Sequence, residues 1–175
     1  MGEQQVGESV ELAYSAEFAD VNEAVRVRLR ATRWWPFMRW TARGVGALAV
    51  LVAGLGLWVG DVGAAVTLVL LAAVAVGAAE LVPWGTAWSL FRLIGSQGDA
   101  TAVVDEDGGR WTSRDTDTTI RWALLPRYVE TPRLFVLLTA QQSGTGFAYL
   151  PKRGLAGPTE ADRLRTLLDR NAARV

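Results

Sequence analysis

Neither cysteine nor histidine occurs anywhere in this sequence. Their absence excludes disulfides, thiol nucleophiles, Cys/His zinc sites and imidazole acid–base chemistry. Lysine is almost missing too: of the 18 basic residues only Lys152 is lysine, and the rest are arginine. An excess of positive charge is also lacking, because 18 acids balance the 18 bases. A dedicated nucleic-acid binder carries a basic excess, so no nucleic-acid partner is expected. The last absence is local. Between residues 44 and 79 the only charged side chain is Asp61.

That gap dominates the chain. Asp61 divides it into "GVGALAVLVAGLGLWVG" and "VGAAVTLVLLAAVAVGAA", each close to the roughly 17 residues needed to cross hydrocarbon. At 175 residues there is little protein to wrap around so long an apolar stretch. A cleaved signal peptide would start nearer the N-terminus and would not be followed by a second span. The expected arrangement is therefore a transmembrane hairpin over residues 40–94, with spans at about 42–60 and 62–84. Asp61 sits in "VGDVG", between glycines suited to a tight loop, and Glu80 ends the second run, where it is expected to reach the inner headgroups or an arginine. Small residues recur four apart, as Ala42/Gly46, Ala49/Ala53, Gly56/Gly60 and Ala73/Gly77. This spacing lets helix backbones approach closely, within the hairpin or between copies, so a homo-oligomer is a candidate partner state.

The flanks set the orientation. "RATRWWPFMRW" (30–40) mixes arginines with tryptophans and carries no acid. Arg30, Arg33, Arg39 and Arg43 precede the first span, and the loop at Asp61 carries no base. Basic flanks remain cytoplasmic, so both termini are expected in the cytoplasm and the bilayer is the first partner. Trp34, Trp35 and Trp40, with Trp84 and Trp88 at the exit of the second span, form the expected aromatic belt at headgroup depth.

Outside the hairpin the pattern changes. Residues 1–39 are expected to form a cytosolic strand and an amphipathic helix. Val10, Leu12 and Tyr14 alternate with polar positions, and Phe18, Val21, Val25 and Leu29 recur at helical spacing. Ser15 is the expected helix cap, with Glu17 and Asp20 in the first turn. Residues 98–175 read as five or six antiparallel strands. "ATAVVDEDGGRWTS" is a hairpin about Asp107-Gly108, "TTIRWALLPRYVET" is a strand pair or a strand bent at Pro126, and "QQSGTG" is a turn between "LFVLLTA" and "FAYL". "GPTEADRLRTLLDRN" closes the chain as a helix whose Leu164, Leu167 and Leu168 face the sheet.

A strand–helix lead, two spans, "TTIRWALLPRYVETPRLFVLLT", "YLPKRGL" and a terminal helix together resemble the YcxB-like family of small bacterial membrane proteins. The most specific pieces are Thr119-Ile120-Arg121-Trp122, Val129-Glu130-Thr131 and Leu150-Pro151-Lys152-Arg153. The resemblance implies an α+β membrane protein: a two-helix hairpin inserted before a small antiparallel, pleckstrin-homology-like cytosolic domain closed by a C-terminal helix. It brings no enzymatic activity.

No catalytic constellation stands out, and neither metal nor cofactor is expected. Asp105, Glu106 and Asp107 lie at a turn and lack the ordered ligand spacing of a calcium loop. Ser143–Gly146 is glycine-rich but no phosphate-loop lysine follows. A serine nucleophile would have no histidine base. The expectation is a non-enzymatic, membrane-anchored interaction or sensing module. Its cytosolic domain would bind a protein partner or the inner leaflet. Arg121, Arg127, Arg133, Lys152 and Arg153 form the candidate lipid or partner face. The alternatives are a small oligomeric channel or transporter built from hairpins, or an immunity or stress-protection protein in the same membrane.

Overall fold

The computed structural model describes residues 9–32, 34–96, 98–140 and 146–175. In order, the elements are β1 (Val10–Ser15), α1 (Phe18–Ala31), α2 (Trp34–Val59), α3 (Val62–Gly95), β2 (Asp99–Val104), β3 (Gly108–Thr112), β4 (Asp117–Arg121), β5 (Arg127–Glu130), β6 (Leu134–Leu138), β7 (Phe147–Pro151), α4 (Pro158–Asn171) and β8 (Ala173–Arg174). The chain divides into two compact units. One is residues 29–86. The other joins the described residues up to 28 with residues 87–175.

The first unit is the apolar hairpin. α2 and α3 contain 26 and 34 residues, about 39 and 51 Å at 1.5 Å per residue. Both are long and apolar enough to cross a membrane, and only 11% of the most apolar window of each is buried. A helix in a soluble core would be mostly covered, whereas here Leu51, Leu55, Leu70 and Leu71 are all exposed. The helices outrun the expected spans at both inner ends. Pro83 stands inside α3 without ending it, although a proline removes one backbone hydrogen bond.

Within the hairpin the small residues do what their spacing allows. A Cβ on Gly46 would lie 2.9 Å from Val76 Cγ2, and one on Gly56 would touch Ala65 at 3.7 Å. Ala53, Ala65 and Ala72 are buried there. Gly77, by contrast, has open space around it. At the turn, Asp61 accepts a hydrogen bond from the Ala64 amide at 3.0 Å. It caps the first turn of α3, as a loop aspartate does. Thr67 donates to its own helix, to the Gly63 carbonyl at 2.9 Å.

The second unit contains two four-stranded sheets, ordered β1-β2-β3-β4 and β7-β6-β5-β8. β1 is the edge of the first sheet. It pairs antiparallel with β2 from Val10↔Val104 to Ser15↔Asp99, so the whole hairpin is an insertion between two neighbouring strands. Ser15 does not cap α1, because its backbone belongs to this ladder. The helix starts at Phe18, and the amides of Asp20 and Val21 donate to the Glu17 carbonyl. The alternating Val25–Arg30 stretch is helical, since burial of Val21, Ala24 and Val25 outweighs local strand preference.

Pro126 separates β4 from β5 through a short 3-10 turn at Trp122–Leu124, so that segment is a strand pair. Residues 141–145, the expected turn before β7, lie outside the described residues. Gly108 is required by close approach: a Cβ there would stand 2.2 Å from the Ile120 carbonyl oxygen. β8, which pairs parallel with β5, has no counterpart in the sequence reading, because two residues carry no periodicity.

The core lies between the sheets and under α4. Leu164, Leu167 and Leu168 join Val10, Leu12, Tyr128 and Phe135 in one buried cluster. α4 is amphipathic with Pro158 in its first turn and Arg170 in its last, both favourable placements. Removing a fully buried leucine costs the transfer term and leaves a cavity. Leu167→Ala is therefore expected to destabilise this unit by about 2–5 kcal/mol. Hydrogen exchange should accelerate in β5–β7 while the amides of α2 and α3 keep their protection. Unchanged exchange in β5–β7 would show that α4 is not part of the core.

Candidate functional site

Two carboxylates organise the charged surface of the β-domain. The first is Asp20, in the opening turn of α1, with 0% of its surface exposed. A buried carboxylate is costly unless it is paired. Arg133, in the β5–β6 turn, reaches Asp20 Oδ1 at 2.8 Å. Arg153, just after β7, donates to Oδ2 and also to the Ser15 carbonyl at 2.6 Å. Glu17 joins the group, 3.3 Å from Arg153 and 3.7 Å from Arg133. One acidic helix start is thus bolted to two turns of the second sheet.

The second carboxylate is Glu130, at the end of β5. Lys152 donates to Oε1 at 2.7 Å. Arg165 of α4 approaches both oxygens, at 2.8 and 3.0 Å, the fork geometry that makes arginine–carboxylate pairs strong. Arg174 adds a contact at 3.0 Å. Lys152 also lies 4.9 Å from the Phe135 ring centre, within cation–π range. The hydrogen bonds from Arg165, then those from Lys152, outweigh burial and hold the Glu130 carboxyl down at about 2, against an ordinary 4.5. Nearby, the Tyr128 hydroxyl donates to Asp169 of α4. Burial, followed by that partner, pushes the phenol up to about 12.

These contacts place each residue of the expected basic face. Arg133, Lys152 and Arg153 are engaged with acids of the same unit. Arg121 and Arg127 form no ion pair among the described residues. They flank the turn in which Leu124 is 58% exposed. Strand register puts Arg121 opposite Gly108, at the Val10/Val104 end of the first sheet. Ser15 and Asp99, where the chain leaves for the hairpin and returns, lie at the other end. The four steps of β4 between those ends cover about 14 Å. Sequence reasoning treated the five cations as one surface because it could not see Asp20. An aspartate in the first turn of a helix is ordinarily a solvated dipole partner.

At the hairpin, Arg39 and Arg43 both reach Glu80, each at 2.9 Å, so Glu80 ends on arginines. Trp40, Trp84 and Trp88 are exposed, and Trp58 at the opposite turn is 86% exposed, whereas Trp35 is buried at 8%. Arg30 is exposed at the end of α1. Arg33 and the Trp34 side chain lie outside the described residues. In the β-domain unit, Phe18 packs edge-on against Trp88 and Phe91, with centroids 5.9 and 5.8 Å apart.

The acidic turn has a local role. Asp105 Oδ1 accepts hydrogen bonds from the Asp107 and Gly108 amides at 2.9 and 3.0 Å, and the Asp105 carbonyl accepts from Trp122 Nε1 at 3.1 Å. Asp117 is paired with Arg110 across the β3–β4 hairpin.

The fold thus defines an α+β protein: a β-domain with a closing helix, and between its first two strands a hairpin long and apolar enough to be membrane-spanning. Residues 104–168 match the family model described as YcxB-like protein, so the resemblance in the motifs is borne out over β3 to most of α4. No curated protein and no solved structure matches the chain. The motifs behind the resemblance are largely fasteners. Glu130 binds Lys152, Arg153 binds Asp20, Trp122 ties β4 to the β2–β3 turn, and Thr131 Oγ1 accepts from the Leu134 amide at 2.9 Å.

A depressed carboxyl pKa stabilises the fold fully above the unfolded value and loses that contribution as pH falls through the folded one. For Glu130 the window runs from about 4.5 down to about 2. Denaturant titrations of the full chain in detergent at stepped pH should show Glu130→Gln less stable than wild type near neutrality, with the difference shrinking across that window. A difference independent of pH would remove Glu130 as an ionised hub.

Proposed function

We propose that this chain is a non-enzymatic, membrane-anchored interaction module, and that its β-domain docks an acidic surface of a protein partner. The anchor is the α2–α3 hairpin, lying in a bacterial cytoplasmic membrane with both termini inside. Basic residues cluster before α2 and are absent from the Asp61 turn, which supports that orientation.

One observation carries the docking site. Arg121 and Arg127 have no acidic partner among the described residues, and they flank exposed Leu124 at the end of the sheet remote from both chain exits. Two free guanidinium groups around an apolar tip offer charge complementarity plus an apolar contact, and arginine is enriched at interfaces. A leaflet-binding role for the whole basic face loses support, because Arg133, Lys152 and Arg153 already hold Glu17, Asp20 and Glu130. The channel alternative gains nothing from Asp61 and Thr67, which are used in local helix hydrogen bonds.

Orientation and docking are tested separately. In this cysteine-free chain, Asp61→Cys should react with an impermeant thiol reagent from outside intact spheroplasts, and Asp115→Cys should react only after permeabilisation. Equal external labelling of both would reverse the topology. For docking, a photo-crosslinking residue replacing Leu124 in the full chain, in native membranes, should yield a protein adduct. Arg121→Glu with Arg127→Glu should reduce it by about tenfold or more, since a wrong-sign contact costs more than the ~1.4 kcal/mol that corresponds to tenfold. Lipid adducts alone, or a protein adduct indifferent to charge reversal, would overturn the reading.

A further inference from the structure

β4 is a free edge of the first sheet, and it carries none of the devices that keep strand edges single. Proteins protect such edges with proline, lysine, inward-pointing charge, very short strands or a covering segment. The other edges of the β-domain are protected. β1 is covered by the turn after β7, where a Cβ on Gly154 would stand 2.9 Å from the Ala13 carbonyl oxygen. On β7 the Tyr149 carbonyl accepts a hydrogen bond from the Tyr14 hydroxyl at 3.4 Å, and Pro151 has no amide. β8 has only two residues. β4 has five, Asp117-Thr118-Thr119-Ile120-Arg121, and all but Ile120 are exposed.

The ladder fixes which groups this edge offers. The Ser113 amide donates to the Thr116 carbonyl at 2.8 Å, and the Trp122 amide donates to the Asp107 carbonyl at 3.4 Å. Hydrogen-bonded residues alternate along an antiparallel pair. Thr118 and Ile120 therefore turn their backbone groups to β3, whereas Asp117, Thr119 and Arg121 turn theirs outward. The side chains of these three share the outer face. The strand is then complementary to itself. In an antiparallel pairing centred on Thr119, that residue meets its own copy, and Asp117 stands opposite Arg121 at both ends. Arg121, which has no acidic partner among the described residues, gains one. Asp117 already accepts from Arg110 at 2.9 Å, but 48% of its side chain is exposed, which leaves room for a second guanidinium. On the inner face, Ile120 of each copy meets Thr118 of the other. Both residues line a cavity of about 190 Å3, with Tyr14, Trp111, Phe147 and Tyr149, at the unfilled Ser15/Asp99 end of the domain.

We infer that β4 pairs antiparallel with β4 of a second copy of this chain, in the register that sets Asp117 opposite Arg121. Such a contact is isologous and closes at two copies. The inference rests on the docking proposal and names its partner: the acidic surface that Arg121 meets is the Asp117 end of the second copy.

The test uses the full chain, which is free of cysteine, in native membranes, with single cysteines oxidised by copper phenanthroline. Facing residues of a hydrogen-bonded pair have Cα atoms about 5.5 Å apart, within disulfide range. Thr119→Cys should give a disulfide-linked dimer. Thr118→Cys, which would face Ile120 and not itself, controls for chance collision and should give little. Arg121→Asp, added to Thr119→Cys, sets like charges opposite each other at both ends and should lower the yield about tenfold or more. Asp117→Arg should do the same. The two reversed chains, co-expressed with different tags, regain opposite charges at both ends, so their mixed dimer should return to near the wild-type yield. Hydrogen exchange in β5–β7 should stay as in wild type throughout. No dimer, equal yields from Thr119→Cys and Thr118→Cys, or a mixed dimer no better than either reversed homodimer would overturn the inference. If the photo-adduct at Leu124 is then a different protein and still responds to charge reversal at Arg121 and Arg127, the docking proposal stands without a second copy as the partner. If that adduct is lipid alone, the docking proposal falls as well.

Discussion

The carboxylate of Asp20 is the contact on which the arrangement of this protein depends. It is a full charge with no solvent exposure, held by Arg133 and Arg153. Leaving such a group unpaired costs several kcal/mol, so the start of α1 and the two turns must remain together. The consequence is topological. β1 and α1 precede the hairpin in sequence, whereas Arg133 and Arg153 follow it by a wide margin. The ion cluster and the β1–β2 ladder make the N-terminal segment part of the β-domain. They hold both ends of the inserted hairpin at one place.

Glu130 does the corresponding work at the other closure. It gathers Lys152 from the end of β7, Arg165 from α4 and Arg174 from β8, three elements that hydrophobic contact alone would leave free to slide. Leucines are non-directional; a carboxylate with a bidentate arginine has one geometry. The short motifs by which the chain resembles YcxB-like proteins therefore read as structural grammar. They specify how the sheets and α4 lock.

Once the fasteners are accounted for, the two ends of the β-domain have distinct characters. One carries the uncommitted arginines beside the exposed Leu124. The other is apolar, lined by tyrosines and tryptophan, and adjoins the chain exits.

The amino-acid sequence alone determined that the hairpin is long and apolar enough to span a membrane, because uncharged runs bounded by arginine and tryptophan are a property of local composition. It also determined the strand-rich C-terminal part and the amphipathic closing helix, since periods of two and about 3.6 are local properties. Which cations remain free was decided only by the tertiary structure. Arg121 and Arg153 look alike in sequence, and they differ because Asp20, more than a hundred residues away from Arg153 along the chain, is buried beside one and not the other. The partnership of β1 with β2 across the hairpin, the two-residue β8 and the cavity at the unfilled end belong to the same class. Each arises from what long-range packing brings together or leaves empty, and no local pattern of residues records it.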